Sequence, residues 1–414
     1  MVAKEVESKI LGNIATIMGM GKKYYIVLQP SIRSMGGEEM YTRNIVISAR
    51  EQGYIPVVFH SGIGDKVYIG DLSPFDKYCF PMFRYEPCVV SSRRKNKLYR
   101  RIQQILPDMD GESIIESHEL LIAEWGELLA GYLGIRHLCY MLLEHNTISF
   151  RPLYDLFRFK YERHELVGIT SQTIPDMFGV FETDVMGFSL PAYCNNVVED
   201  IPCPDEFRLG KADYTIGSVG RTNKRYVQPM IDSLIHFVTQ YKDKFFNILY
   251  VGGSMDKSSE RLVIKRLSSL PNVNFIFTGM LFPLSIAMLR QMDVCIASSG
   301  SCDTARRCGI PTISLDGNDS MAIGIYRETT NNCLFRDASE PPLRIEDLLY
   351  DVLMQKKYVV TDEIEEAKVD FSSHWRFVDE MEKEKSYFDV KSIDYPVKRR
   401  FVSVVLGYYY GLNP

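Results

Sequence analysis

The residues best equipped for chemistry in this chain sit where apolar stretches end. Tyr214 to Val219 is such a stretch, and it runs directly into Gly220-Arg221-Thr222-Asn223-Lys224-Arg225. A glycine lets backbone pass close to a ligand, while Arg221 and Lys224, leaving one strand end, can neutralise a diphosphate and the charge that grows on it as a leaving group. The short spacing leaves Arg225 as an alternative to Lys224, and a solvated turn is the simpler use of such cations. A second apolar stretch, Val294 to Ala297, opens into Ser298-Ser299-Gly300-Ser301 and a helix expected to end at Gly309-Ile310-Pro311. Backbone amides and hydroxyls at a helix start hold phosphate without a cation, although the same serines would also make an ordinary N-cap.

The first half offers a matching set. Gly36-Gly37 precedes Glu38 at a helix start, so bare N–H groups could approach an anion there, and a turn needing positive φ accounts for the glycines equally well. Arg33 lies in the same loop. His118 and His145 follow apolar stretches and are expected to point toward a cleft between domains, with a buried structural role as the competing use. Glu119 and Glu144 stand beside them as carboxylates without an assigned role. The triplet Asp108-Met109-Asp110 precedes its strand and reads as the start of a turn at Gly111, so no metal is implied.

Positioning these residues requires alternating strands and helices. Strands are expected at Tyr24 to Leu28, Ile55 to Phe59, Ser113 to Glu116, His137 to Leu143 and Leu166 to Ile169, then near Tyr214, Ile248, Val273, Val294, Thr312 and Cys333. Between them lie helical patterns such as Glu38 to Gln52, where Tyr41, Ile45 and Ala49 recur at intervals of four and Gly53 follows as a stop. The fold class is therefore α/β, with two Rossmann-like doubly wound domains facing across a cleft. The stretch from Asn195 to Gly210, with Pro202-Cys203-Pro204, suits a stiff linker. Residues 1–200 are assigned to an N-terminal domain, 201–371 to a C-terminal domain, and 372–414 to helices, with Ser372 or Ser373 as the cap before Trp375.

Composition removes several classes. The 414 residues suffice for two cores at 46% hydrophobic content, and a net charge of −5 disfavours a general nucleic-acid binder. Nine cysteines with no C-x-x-C pair and no zinc spacing read as reduced thiols in a cytoplasmic protein. No apolar run reaches the ~18 residues of a membrane span. Basic residues nevertheless gather in the first domain: Arg94, Lys97 and Arg101 form one helical stripe, and Arg151 to Arg163 is basic and aromatic. Both are candidates for peripheral contact with an anionic membrane, and a solvated helix face is the alternative.

Five blocks, taken in order, resemble the GT-B glycosyltransferases, especially the retaining family four enzymes that use nucleotide-diphosphate sugars. They are a strand followed by Gly36-Gly37, then Glu116-Ser117-His118, Glu144-His145, Gly220-Arg221 with Lys224, and Ser298 to Pro311, so that the likeness covers roughly Tyr24 to Tyr326. The resemblance implies a sugar transfer to an acceptor hydroxyl, such as a glycan or lipid-linked saccharide in surface polysaccharide assembly. It implies an acceptor-side first domain and a nucleotide-sugar-binding second domain, no cofactor beyond the donor itself, C-terminal helices crossing back to the first domain, and His145 against the donor sugar with Arg221 and Lys224 on the phosphates. Gly36, Gly37, His118, Ser299, Gly300, Ser301, Asp303 and Thr304 would complete the donor site. Family members carry two glutamates eight positions apart in the last block. Here Thr304 takes the second position and Asp303 is the nearby carboxylate. Alternatives are a GT-B nucleotide-sugar epimerase, to whose Ser-Gly-Gly loop Ser299-Gly300-Ser301 is similar, and a binding subunit that keeps the fold without activity.

Overall fold

The computed structural model describes residues 21–143, 146–360, 369–393 and 405. Its architecture follows from strands that are apolar on both faces, as parallel strands covered by helices on both sides must be. In the first sheet β1 (Tyr24–Gln29), β2 (Ile55–His60), β3 (Ile114–His118), β4 (Arg136–Met141) and β5 (Leu166–Gly168) pair in the order β2-β1-β3-β4-β5, all parallel. Tyr25 and Val27 pack into one layer while Tyr24, Ile26 and Leu28 pack into the opposite one. Helix α1 (Gly37–Glu51) covers the first of these with Tyr41, Ile45 and Ala49, at the spacing its sequence shows. The other face is closed by α2 (Ser92–Ile105) and α3 (Leu120–Leu133), and α4 (Arg151–Glu162) with the short α5 (Thr173–Phe178) covers the far edge.

The second sheet contains β7 (Tyr214–Val219), β8 (Phe246–Val251), β9 (Val273–Phe277), β11 (Val294–Ala297), β12 (Thr312–Leu315) and β13 (Ala322–Ile325) in the order β13-β12-β11-β7-β8-β9. All neighbours are parallel except β12 and β13. The last strand is thus an antiparallel edge at Ala322–Ile325, and no strand forms near Cys333, where one was expected. Cys333 instead lies in a loop, and its carbonyl accepts from the Ser299 amide and the Ser298 hydroxyl. The proline-containing connection is partly structured, with β6 (Val198–Glu199) pairing in parallel with β10 (Leu284–Ser285).

After the second sheet the chain returns to the first. Helix α9 (Ser372–Glu380) inserts His374 beside Tyr25 and Tyr140, and Trp375 donates from Nε1 to Ser48 Oγ at 2.9 Å. Neither serine caps this helix: Phe371 occupies the N-cap position, and the Asp370 carboxylate accepts from the Ser372 amide.

One buried ionic cluster ties the outer part of the first sheet together. Lys160 Nζ lies 2.8 Å from Glu127 Oε2 and 2.5 Å from Glu165 Oε2, with all three side chains buried. Glu127 also receives His137 Nδ1 at 2.9 Å and the Phe388 amide at 2.7 Å, which anchors the C-terminal segment. The Ser117, His137 and Glu127 side chains form a hydrogen-bonded row that resembles a nucleophilic triad, but each is sealed in the core, where no substrate reaches it. Burial alone would raise the Glu127 carboxyl, but Lys160 and His137 hold it at about 2, below its ordinary 4.5. Its contribution to stability is therefore present above pH ~4.5 and lost as pH falls toward 2. Removing Lys160 strands two buried carboxylates. Lys160→Ala should cost about 3–5 kcal/mol in denaturant unfolding, and a loss below ~1 kcal/mol would show that water replaces the ammonium.

Candidate functional site

In a doubly wound sheet the crevice opens where neighbouring strands send their connections to opposite faces. In the first sheet that point lies between β1 and β3, and in the second between β7 and β11. The segments leaving those four strands carry Gly36-Gly37, His118-Glu119, Gly220-Arg221 and Ser298 to Ser301. All the blocks singled out in the described sequence thus lie at the two switch points.

The two switch points meet. A Cβ placed on Gly36 would lie 3.6 Å from Arg221 Nη1 and 3.2 Å from Glu39 Oε2, so the exposed Arg221 side chain of the second sheet reaches the Gly36 turn of the first. Gly36 itself is extended, with φ −164 and ψ −173, which removes a positive-φ turn as the reason for glycine and leaves close approach. Gly220 has φ +154, and its carbonyl is where a side chain on Gly252 would collide, at 2.2 Å. The loops after β7 and β8 therefore cross with backbone alone.

The serine segment is under backbone strain. Ser299 adopts φ 58 and ψ −142 as the N-cap of α8 (Gly300–Arg307), with helices α6 (Val227–Gln240) and α7 (Lys257–Leu267) preceding it in the chain. Such a conformation in a residue other than glycine costs on the order of 1–3 kcal/mol. No side chain caps this helix, and Ser299, Gly300 and Ser301 are all half-buried at its start. Glu119 repeats the pattern in the first sheet: it is the N-cap of α3, with φ 67 and ψ 160. Strain thus occurs at the helix entrance of both switch points.

Several expected site residues are committed elsewhere. Asp303 Oδ2 pairs with Arg307 at 2.9 Å and accepts from Asn195 Nδ2 at 3.3 Å, so it holds its own helix and the connection between sheets. Thr304 is fully buried, its hydroxyl donating to the Gly300 carbonyl at 2.8 Å. Arg33 is paired with Asp76 at 2.7 Å. His118 does not line the cleft surface. It is buried, with Nε2 2.7 Å from Glu116 Oε1 and Nδ1 3.4 Å from Glu38 Oε1. Burial works against its charge, yet the two carboxylates outweigh it and raise the imidazole to about 9, so His118 is a cation at neutral pH. Lys224 and Arg225 are exposed in the turn before α6. His145 and Glu144 lie outside the described residues.

Sequence reasoning missed one carboxylate, Glu39, and left another, Glu119, without a role. Glu39 is buried at 5% exposure in the first turn of α1, accepts from the Ser34 hydroxyl, and faces Arg221. Burial, then the charge of Glu38, push its carboxyl up to about 7. The same two causes raise Glu119 to about 7, with His118 opposing. Two adjacent glutamates after a Gly-Gly pair were a visible signal of mutual repulsion. The strain at Glu119 had none, since its side chain type does not predict positive φ.

No family model and no curated protein matches this chain. Solved structures do. A glycosyltransferase from Rickettsia africae aligns over 94% of this chain and 98% of its own with a TM-score of 0.51 at 14% identity. Anabaena HepE in complex with UDP and glucose aligns over 94% and 98% with a TM-score of 0.50 at 12% identity. Together with the two facing sheets, these likenesses define the architecture: the chain has the GT-B fold.

The raised carboxyls make stability depend on pH in a defined sense. Glu119 titrates at about 7 in the folded protein against an ordinary 4.5, so its favourable protonated form is fully present below pH ~4.5 and is lost as pH rises through about 7. Glu119→Gln removes that loss. Its melting temperature should exceed wild type at pH 8 and match it at pH 4.5, and a fall at pH 8 would mean that the carboxylate is stabilised by ionising.

Proposed function

We propose that this chain is a glycosyltransferase that moves a sugar from a nucleoside diphosphate sugar to an acceptor hydroxyl. The observation that carries the reading is the approach of Arg221 to Gly36 across the two switch points. A diphosphate in that crevice meets a guanidinium from one sheet and closely approachable backbone from the other, together with the amides at the start of α8. The HepE neighbour binds UDP and glucose, which favours a uridine nucleotide as the first donor to try.

As the bond between the anomeric carbon and the diphosphate oxygen breaks, its electron pair goes to that oxygen, and Arg221 stabilises the developing charge. The acceptor oxygen forms the new bond and must lose its proton. Glu119, at the acceptor-side switch point with a carboxyl near neutrality, is placed to receive it, since a general base works best with a pKa close to the working pH. The second sheet supplies no free carboxylate from α8, because Asp303 is paired and position 304 is threonine. Acid–base work therefore falls to the first sheet.

UDP at about a hundred times its Kd should stabilise the protein by about 2.7 kcal/mol, and Arg221→Ala should remove most of that shift without lowering the melting temperature of the free protein. Absence of any shift with uridine, guanosine, adenosine or thymidine diphosphate would contradict a donor site. In a transfer assay, Glu119→Gln should lower kcat by at least about a hundredfold while UDP binding is unchanged. Normal turnover in that variant would remove Glu119 from the reaction. Sugar interconversion without an acceptor would point to an epimerase instead.

A further inference from the structure

Helix α2 carries six cations and no acid: Arg93, Arg94, Lys95, Lys97, Arg100 and Arg101 all lie between Ser92 and Ile105, in a chain of net charge −5. Leu98 and Ile102 bury its inner face against the first sheet. At ~100° per residue, Arg93, Lys97 and Arg100 fall on the opposite side, and all three are exposed. None of the three forms an ion pair with a described residue. The outward row therefore differs from the stripe expected from sequence. Arg94 is half-buried, and the Arg101 guanidinium sits 4.9 Å from the centre of the Phe80 ring.

The other basic segment gives the contrast. In α4 and at the residue that ends it, Arg151 is paired with Asp155, Arg158 with Glu162 and Glu182, and Arg163 with Glu165, while Phe157 is buried. Its cations are matched within the protein, and it offers no free charge to a membrane. Around α2 the positive field is instead reinforced. Lys391 stands close enough to Lys95 to help depress its ammonium, after burial as the larger cause. On one flank Tyr99 and Tyr132 stack with ring centroids 4.3 Å apart, Tyr132 remaining 42% exposed and donating to Gln103. A row of unmatched cations on a convex helix, beside half-exposed amphipathic tyrosines, complements a plane of lipid phosphates with an interfacial layer beneath it. A nucleic acid calls for a broader basic field than one helix of an acidic chain supplies.

We propose that the outward face of α2, formed by Arg93, Lys97 and Arg100 and flanked by the Tyr99–Tyr132 stack, docks this chain on an anionic lipid bilayer. The helix leads to the start of β3 and so runs against the strands, which places its Ser92 end on the side of the crevice. Docking through this face keeps the crevice edge near the headgroups. The proposal is independent of the donor site, because α2 contributes none of that site's residues.

Co-sedimentation with vesicles tests it directly. The wild-type protein should partition onto phosphatidylglycerol–phosphatidylcholine vesicles at low salt, be released by high salt, and ignore vesicles of phosphatidylcholine alone. Combining Arg93→Glu, Lys97→Glu and Arg100→Glu should lower the partition coefficient by at least on the order of a hundredfold with an unchanged melting temperature, while Arg93→Lys with Arg100→Lys should retain binding. The proposal is overturned if neutral and anionic vesicles bind equally, if the charge-reversed variant binds as wild type does, or if the face binds an oligonucleotide and no anionic vesicle.

Discussion

A carboxylate in the middle of a parallel sheet must be fully paired or it will not stay charged, and Glu116 shows what that requirement organises. It is completely buried in β3 and accepts hydrogen bonds from Tyr25 of β1 and from His118 of its own strand. Tyr25 in turn contacts His374 Nε2 at 2.7 Å. Burial would raise the Glu116 carboxyl, but the His118 hydrogen bond and the neighbouring imidazoles bring it below its ordinary value. Through these partners one charge joins the central strand pair, the returning C-terminal helix and, by way of His118 and Glu38, the first turn of α1. The crevice edge is therefore built on an ionic network, and packing alone does not define it.

That network also sets the electrostatics of the crevice. His118 sits as a buried cation beneath Glu38, and burial, reinforced by the charge of Glu38, raises both Glu39 and Glu119. The first sheet thus presents carboxyls that exchange protons near neutrality, while the second presents Arg221 and a helix start free of side-chain caps. A ligand that is anionic at one end and carries a hydroxyl at the other fits this asymmetry. The strained backbones of Ser299 and Glu119, at equivalent places in the two sheets, are the conformational counterpart of the same division.

Much of this frame was legible in the sequence because parallel strands buried on both faces are continuous apolar runs, and glycines after them mark the crossings. Gly36, Gly220 and the serines after Ala297 were found in that way. The side chains were harder to place. His118 was expected at the crevice surface but lies one layer below, since a strand's final residue can point inward as readily as outward. Asp303 and Thr304 follow the serines in sequence, but within the helix Asp303 is taken up by Arg307 and Asn195, and the Thr304 hydroxyl by the Gly300 carbonyl. Cys333 looked like strand because its surroundings are moderately apolar, but the edge strand forms at Ala322–Ile325 through antiparallel pairing with Thr312–Leu315, and its loop partners are far apart in sequence. Glu39 escaped notice, and Glu119 was seen but given no role, because burial and the charge of Glu38, not residue type, make them unusual.

One ligand is expected to occupy both switch points together, and amide hydrogen exchange followed with and without UDP measures whether it does. Added protection should appear in residues 33–39, 220–226 and 299–304 at once, with the rest of both sheets unchanged. Protection confined to one sheet, or absent from all three segments, would contradict it.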